Sequence, residues 1–225
     1  MMDKKKFGDE KFIYAMALKD VFESQEKEAQ DKRNQAITVS DTIVIGGISY
    51  GFKTKRIFDG NVSVIIPDKF GIMNEEAAIK KYPSEHRPPY IFTNADGSIN
   101  IVFNLLDHPP EMNQIGENIC EWKMLIQQAS PTCVFLTVKN KALDAANIGY
   151  FEYKNDAEDG AVYNLIFTVG TLSKPLLGAF NCPFEQYEDW RQLAVQIVLS
   201  IQDTTMDKGK TEQKKIKREV KSLIF

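Results

Sequence analysis

The chain begins with a long stretch whose residue pattern is helical. Between about residues 9 and 35 there is no Gly or Pro, and Ala15, Leu18 and Phe22 recur at helical spacing. The part that follows, ESQEKEAQDKRNQ, is nearly all polar. The first half therefore predicts an amphipathic helix that docks on another surface, and the second half predicts an extension into solvent.

From Thr38 the apolar residues follow the two-residue period of strands. The stretch ITVSDTIVIGG is β-branched, and ISYGFKTKRIFDGNVSVIIPDKF alternates around Asp59-Gly60, which is a short-turn signal. We expect two or three antiparallel strands here, ended by Pro67. Asn74 is then expected to cap a short helix in NEEAAIKKY.

Two further patterns follow the proline-rich loop PSEHRPPY. The stretch YIFTNADGSINIVFNLLD predicts two strands around an Asn-Ala-Asp-Gly turn. The inward-facing residues of its second strand are expected to be Ile99, Ile101, Phe103 and Leu105. The segment from Glu111 to Gln128 predicts an amphipathic helix, because apolar residues recur at three- and four-residue steps. These residues are Ile115, Ile119, Trp122 and Ile126.

The second half of the chain predicts a run of strands and one more helix. TCVFLTVKN, NIGYFEYKN, AVYNLIFTVGTL and KPLLGAFNCP are four successive strand patterns. FEQYEDWRQLAVQIVLSIQ predicts a helix, whose buried face is formed by Tyr187, Trp190, Ala194, Ile197 and Ile201. Because the strands come in runs, the pattern predicts an α+β fold with a mostly antiparallel sheet. The predicted organisation is a helical extension over 1–37, one α+β domain over 38–202 and a basic helix or tail over 203–225.

Composition and charge narrow the functional classes. Hydrophobic residues make up 43% of the 225 positions, which suits a packed core. A net charge of -3 gives no overall field that would attract nucleic acid, so no nucleic-acid partner is expected. The three widely separated cysteines, Cys120, Cys133 and Cys182, indicate reduced thiols in a cytoplasmic protein. No run of about 18 apolar residues occurs, so no membrane span is expected, and the first residues do not read as a signal peptide.

Ser49 stands in Gly47-Ile48-Ser49-Tyr50-Gly51, which has the G-x-S-x-G spacing of a nucleophile elbow. An elbow needs a strand, a strained turn and then a helix. Here FKTKRIF follows with a strand period, so we expect Ser49 to lie on a continuing strand. Asp107 and His108 have the chain order of triad partners, but adjacent residues would point in different directions.

The two histidines offer little further chemistry. His86 and His108 lie beside proline-rich loops, without the H-x-x-x-H or cysteine-pair spacing of a metal site, so no metal is expected. The Glu85-His86 and Asp107-His108 dipeptides leave open an acid–base pair formed across two loops. No Gly-rich loop opens a helix, so no nucleotide cofactor is expected, and we predict none of any kind.

The last residues form a basic amphipathic pattern. Ile216, Val220, Leu223 and Ile224 fall on one helical face, surrounded by basic side chains. This pattern suits a helix that docks a partner, a membrane surface or RNA. We favour the alternative that the helix packs its apolar stripe on the sheet or on a second subunit. The candidate binding residues in this stretch are Lys214, Lys217, Arg218 and Lys221.

Two segments together resemble the PsbP-like family, which has the Mog/PsbP fold. VSVIIPDKF is similar to the proline-ended strand that opens these domains, and YNLIFTVGTLSKPLLGAFNCPFEQYEDWRQLAVQIVLSIQ is similar to their last strands and helix. The resemblance covers about residues 60–202 and is strongest to uncharacterised bacterial members. It implies a central antiparallel sheet of six or seven strands with helices on both faces. Pro67, Phe70, the Asn181–Pro183 segment and Trp190 would then be structural positions.

The same resemblance implies a binding or accessory role, since the family has no shared catalytic residues. Its members assist photosystem assembly, bind small GTPases or chaperone secreted effectors. The missing leader and the added helical ends favour a cytoplasmic adaptor or effector chaperone. The sequence thus leads to two hypotheses. The first is a non-enzymatic module with a protein partner or a homo-oligomer formed through the terminal helices. The alternative is a small hydrolase that uses Ser49 or a histidine–carboxylate pair.

Overall fold

The computed structural model describes residues 37–106, 115–143, 146–157, 159–171 and 174–205. The predicted N-terminal helix, the basic C-terminal segment and the residues between 107 and 114 lie outside this part of the chain, so those predictions stay predictions. The three-part division into 1–37, 38–202 and 203–225 is likewise an expectation from the sequence.

A seven-stranded sheet is the largest element, and all its neighbouring strands are antiparallel. In spatial order its strands are β4 (Gly71–Ile72), β5 (Tyr90–Thr93), β6 (Asn100–Leu105), β10 (Leu176–Pro183), β9 (Gly160–Val169), β8 (Ala146–Ala157) and β7 (Val134–Leu143). This confirms the predicted α+β class and the expected count of six or seven strands. Four of these strands, β7 to β10, were predicted as successive patterns in the second half of the chain.

A second sheet of four strands comes mainly from the start of the domain. Its order is β1 (Thr42–Ile45), β2 (Ile48–Ile57), β3 (Val62–Pro67) and β11 (Gln202–Asp203). The β2–β3 connection contains the predicted turn, with positive φ at Asp59 (56°) and Gly60 (76°). The sequence pattern predicted these antiparallel strands, but it did not predict that they separate from the large sheet.

In the part of the chain that the structure describes, three helices cover the large sheet, and two of them share one face. They are α1 (Glu75–Lys81), α2 (Ile115–Ala129) and α3 (Tyr187–Leu199). Asn74 caps α1 as predicted, because its side chain accepts a hydrogen bond from the Ala77 amide at 2.8 Å. Among the described residues, no helix combines the length and apolar character needed to cross a bilayer.

The two faces of the large sheet have different coverings. Alternate residues such as Phe103 and Phe167 belong to the main core, which also contains residues of the small sheet and of α3. Residues of the opposite face form two smaller clusters, one with α1 around Val102 and one with α2 around Phe151. We call the first face the inner face and the second the outer face. Side chains one residue apart on a strand therefore enter different clusters.

Because both faces of the large sheet are covered, buried residues do not simply alternate with exposed ones along its strands. Ile99, Ile101 and Phe103 are buried as predicted, whereas Leu105 is half-buried. Val102 is also buried, because α1 covers the outer face of β6. In α2, Ile119 is fully buried as predicted. In α3, Trp190, Ala194 and Ile197 are buried as predicted. Tyr187 is only half-buried, and Ile201 is buried but lies beyond Leu199, where the helix ends.

Trp190 of α3 joins the two sheets. Its ring lies 5.3 Å from Tyr50, 5.8 Å from Phe70 and 6.1 Å from Phe180, measured between ring centroids. Tyr50 and Phe180 belong to the small and the large sheet respectively, so one indole contacts both. Trp190 and Phe70 are each 1% exposed, which agrees with the structural role that the resemblance implied. Aromatic contacts of this kind stabilise beyond the area that they bury.

Candidate functional site

Ser49 lies on a strand, as the sequence predicted. A two-residue turn precedes it, with φ of 56° at Gly46 and 77° at Gly47, a conformation in which glycine carries no steric cost. Ser49 is exposed, and β2 continues without a break to Ile57. The helix that an elbow requires after the serine is therefore replaced by a strand.

The other candidate residues from the sequence are not brought together in the described structure. His86 is exposed, and its backbone N–H donates to the Ser84 hydroxyl at 3.1 Å. His108 and Asp107 lie outside the described residues, as do Lys214, Lys217, Arg218 and Lys221. Within the described ranges, no group of three or more His, Cys, Asp or Glu residues is arranged to hold a metal ion.

A buried carboxylate is the most unusual ionisable group in the described part of the chain. Glu152 of β8 has no exposed surface. The Arg191 guanidinium of α3 donates to both of its carboxylate oxygens, from Nε at 2.7 Å and from Nη2 at 3.1 Å. The Tyr163 hydroxyl of β9 donates to the same carboxylate at 3.0 Å. This bidentate pair with an added hydrogen bond fixes α3 against the inner face of the sheet.

Side chains with a partly exposed surface extend outward from this buried group. The Arg191 guanidinium lies 5.9 Å from the Tyr187 ring centroid, and Tyr187 stacks on Phe184 with an interplanar angle of 9°. The Lys154 ammonium lies 4.9 Å from the Phe184 ring centroid. All four residues are half-buried. We call this set of Lys154, Phe184, Tyr187 and Arg191 the cation–aromatic strip.

The electrostatics of the strip follow from burial and from the carboxylate. The hydrogen bond to Glu152 raises the pKa of Arg191 above its ordinary value, so this side chain stays a cation. Burial, reinforced by the Glu152 charge, raises the pKa of Tyr163, which keeps its hydroxyl protonated as a donor. Burial also raises the pKa of Tyr187. The strip therefore presents two cations and two neutral aromatic rings.

Neither Glu152 nor Arg191 belongs to a motif in the sequence. Local pattern gave no signal, because Phe151 and Tyr153 alternate with Glu152 and Lys154, which is typical of a polar strand face, whereas both faces of β8 are covered. A carboxylate at an inward position needs a cation, since an unpaired buried charge is costly. The sequence does not show which cation comes near, because Arg191 lies in a helix 39 residues further along.

The cysteines give a prediction that checks this core. Burial raises the pKa of Cys182 to about 12, and Cys133 is also buried, whereas Cys120 is exposed. Because the thiolate is the reactive form, we expect a thiol reagent at neutral pH to label Cys120 in the native protein and to spare Cys182. Quantitative labelling followed by peptide mass spectrometry measures this. If Cys182 in the folded protein is labelled as fast as Cys120, then Cys182 is not buried in β10 as described.

Comparison with known proteins identifies the fold and little more. No family model matches this sequence, and no curated protein matches it either. Among solved structures, the cyanobacterial PsbP protein from Synechocystis sp. PCC 6803 is similar, with a TM-score of 0.51 and 9% identity over 73% of this chain and 98% of that one. The fold is therefore the PsbP fold. This confirms the architecture that the resemblance implied, while identity this low leaves the activity open.

Two other solved structures are similar at lower scores. The Ran-binding protein Mog1p of Saccharomyces cerevisiae has a TM-score of 0.42 and 9% identity, over 70% of this chain and 98% of that one. LpqN of Mycobacterium tuberculosis, which is involved in cell envelope biogenesis, has a TM-score of 0.44 and 12% identity, over 68% of this chain and 90% of that one. Likenesses at these identities say nothing of a shared role, so the function of this chain has to be argued from its own surface.

Proposed function

We propose that this chain is a non-enzymatic accessory module that binds a partner protein, with the cation–aromatic strip as its contact face. The chemistry of the strip supports this proposal. Arginine and aromatic residues are enriched where proteins meet, and they contribute much of the binding free energy. The strip joins two aromatic rings and two cations in one continuous set of contacts, from Lys154 to Arg191.

Rigidity of the strip is the second support. The Arg191 side chain is bound to a carboxylate that has no exposed surface, and the Tyr187 ring packs edge-on against the buried Tyr163 at 4.9 Å. A side chain held in place before binding loses less conformational entropy when the partner arrives. We therefore propose that Glu152 positions the contact face from below, without touching the partner.

The neighbouring edge of the sheet supplies an apolar contact. Val134 of β7 pairs with Lys154 in the ladder and is 56% exposed. Within the described residues, β7 is the last strand on this side of the large sheet. We propose a partner segment that presents carboxylates to Lys154 and apolar groups to Phe184 and Val134. A cytoplasmic location, a chaperone or adaptor role and contacts from Lys214, Lys217, Arg218 and Lys221 are further parts of this proposal.

Site-specific crosslinking tests the contact face. A photoreactive amino acid at Glu185, which is exposed beside Phe184, is expected to crosslink one partner in cells that produce the full chain. Lys154→Glu and Phe184→Ala are expected to reduce that crosslink by about tenfold, the loss expected for an interface residue that contributes more than 1 kcal/mol. Lys80→Glu makes the same charge change at an exposed residue of α1 and serves as the matched control.

The outcomes separate a specific partner from unspecific capture. A crosslink that Lys154→Glu and Phe184→Ala reduce by about tenfold, and that Lys80→Glu leaves unchanged, supports the proposal. A crosslink that all three variants retain, or no discrete crosslinked species from Glu185, contradicts it. Thermal unfolding of each variant by circular dichroism must match that of the parent chain, so that lost binding is not lost folding.

A further inference from the structure

One side of β2 in the small sheet is left without a neighbouring strand for part of its length. β2 lies between β1 and β3, and β1 pairs with it only from Ile48 to Gly51. From Phe52 to Ile57, β2 pairs with β3 on one side, and no described strand lies on the other side. We call this unpaired side of β2, from Phe52 to Ile57, the open edge. Its six residues correspond to about 20 Å of extended chain.

The chain before β1 turns away from the open edge. If β1 continued toward its N-terminal side, Asp41 would stand opposite Phe52. Asp41 closes a tight turn instead, because its backbone N–H donates to the Thr38 carbonyl at 3.1 Å and its carboxylate accepts from the Thr38 amide at 2.6 Å. Ile37, directly before this turn, is buried in the main core. The described chain therefore leaves the sheet at Asp41 and does not fill the open edge.

The pattern of the β2–β3 ladder shows which backbone groups face the open edge. The Asp68 N–H donates to the Gly51 carbonyl, so alternate residues from Gly51 to Ile57 direct their N–H and C=O groups at β3. Thr54 and Arg56 lie between them in the alternation, and their backbone groups point to the opposite side. Both residues are exposed. The open edge therefore presents the backbone groups of an unfilled antiparallel ladder at a place that solvent reaches.

The outermost described strands differ from the open edge. β4 and β11 have two residues each and β1 has four, while the β7 ladder shifts register between Phe135 and Thr137. Short strands and bulges of this kind protect sheet edges from pairing with other chains. Pairing between β2 and β3 is regular over all six residues, and the open edge contains no proline. Its backbone is therefore suited to accept another strand.

Side chains make the open edge positively charged. Lys53, Lys55 and Arg56 are cations, separated only by Thr54. The Lys53 ammonium donates to the Asp68 carbonyl, a contact that does not neutralise its charge. No carboxylate within the described ranges forms an ion pair with Lys55 or Arg56. Lysine on an edge opposes unspecific pairing, and it also selects between strands, because like charges across a ladder repel and opposite charges attract.

This charge distinguishes between possible occupants. A second copy that paired its own open edge antiparallel with this one would place Lys55 opposite either Lys55 or Lys53 in the two central registers, which is unfavourable. The residues of this chain from Lys208 onward are also mainly basic. A nucleic acid would neutralise the cations, but it has no peptide groups for the unfilled ladder. An extended peptide with carboxylates satisfies both the backbone groups and the charges.

We propose that the open edge binds an acidic, extended segment of a partner protein, which adds a strand to the small sheet. The backbone of this segment bonds to Thr54 and Arg56. Its carboxylates stand opposite Lys53 and Lys55, which are the non-hydrogen-bonded positions of the new ladder, where cross-strand side chains lie closest. The open edge shares no residue with the cation–aromatic strip, so this inference does not rest on the proposed function.

Amide hydrogen exchange of the full, isotopically labelled chain tests the backbone part of the proposal. The probe is the peptide acetyl-Glu-Val-Glu-Val-Glu-Val-Glu-amide. At a peptide concentration that occupies about 90% of the chain, the Thr54 and Arg56 amides are expected to exchange about tenfold more slowly, because only the unoccupied fraction exchanges freely. The Lys53 and Lys55 amides already face β3 and are expected to keep their rates.

Methylated forms of the probe separate strand addition from charge attraction. In the proposed register the valine N–H groups face the open edge and the glutamate N–H groups face away from it. N-methylation of the valines is therefore expected to abolish binding, and N-methylation of the glutamates is the matched control that is expected to retain it. Neither form changes the protein, so the comparison is independent of how well a variant folds.

Charge reversal tests the side-chain part. Lys55→Glu is expected to weaken binding of the fluorescently labelled probe by about tenfold, because it replaces a cross-strand attraction by a repulsion. Lys80→Glu, the same change at an exposed residue of α1, is the matched control and is expected to bind like the parent chain. Fluorescence polarisation measures the affinities, and thermal unfolding by circular dichroism shows whether each variant folds.

Four results would overturn the proposal. The first is a probe that leaves exchange of the Thr54 and Arg56 amides unchanged, and the second is slow exchange of both amides before any peptide is added, which would mean that the edge is already covered. The third is equal binding of the two methylated forms. The fourth is a different occupant: a dimer in sedimentation velocity that Lys55→Glu alters, or an RNA oligomer that slows the same two amides.

Discussion

Replacement of Gly178 by alanine is expected to unfold the domain or to leave it barely folded. Gly178 lies in the middle of β10 and pairs with Phe103 on one side and Phe167 on the other. A Cβ there would overlap the Phe167 ring and lie 2.6 Å from the Val102 carbonyl oxygen, which is backbone and cannot turn away. Overpacking costs about 1–3 kcal/mol where side chains can adjust, and we expect at least about 3 kcal/mol here.

Urea denaturation followed by circular dichroism measures this effect. The control is Gly71→Ala in β4, where an added Cβ meets no atom within 4 Å and φ is not positive, so we expect a change within about 0.5 kcal/mol. If Gly178→Ala unfolds at the same urea concentration as Gly71→Ala, then β6, β9 and β10 are not packed as described.

Replacement of Arg191 by methionine has the second largest expected effect. The change removes the cation that pairs with Glu152, a carboxylate with no exposed surface. Among the described contacts, the hydrogen bond from the Tyr163 hydroxyl to this carboxylate remains. Removal of one partner from a buried ion pair leaves an uncompensated charge, and it typically costs about 3–5 kcal/mol. We expect a loss of that size at neutral pH, measured by urea denaturation. Glu152→Met should cost less, because the Arg191 side chain is 34% exposed and can turn toward solvent.

The double variant separates charge from packing. Glu152→Met with Arg191→Met replaces the ion pair by apolar groups, an exchange that is often neutral or stabilising. We therefore expect the double variant to be more stable than Arg191→Met alone. An Arg191→Met variant as stable as the parent chain, or a double variant less stable than both single ones, would show that the pair does not hold α3 on the sheet. Either result would also contradict the proposal that Glu152 holds the cation–aromatic strip in position.

Local sequence patterns predicted most of the helices and strands, but they did not predict the residues of the candidate site. The alternation in NIGYFEYKN was sufficient to predict β8, and the spacing of Trp190, Ala194 and Ile197 was sufficient to predict α3, because hydrophobic period depends only on neighbours along the chain. The same alternation put Glu152 with Lys154, opposite Phe151 and Tyr153, so it marked neither the burial of this carboxylate nor Arg191 as its cation. It also gave no reason to connect Asn100, Asn164 and Asn181, which meet through strand order alone.

The sequence by itself determined the α+β class, the strand nature of the Ser49 segment and the buried face of α3. Each of these depends on residues within a few positions of one another. Tertiary structure alone decided that the early strands form a second sheet, that Glu152 pairs with Arg191, and that three asparagines lie side by side on β6, β10 and β9. Those arrangements depend on the order in which strands pair, and pairing joins residues that are distant in the chain through backbone hydrogen bonds that any residue except proline can make.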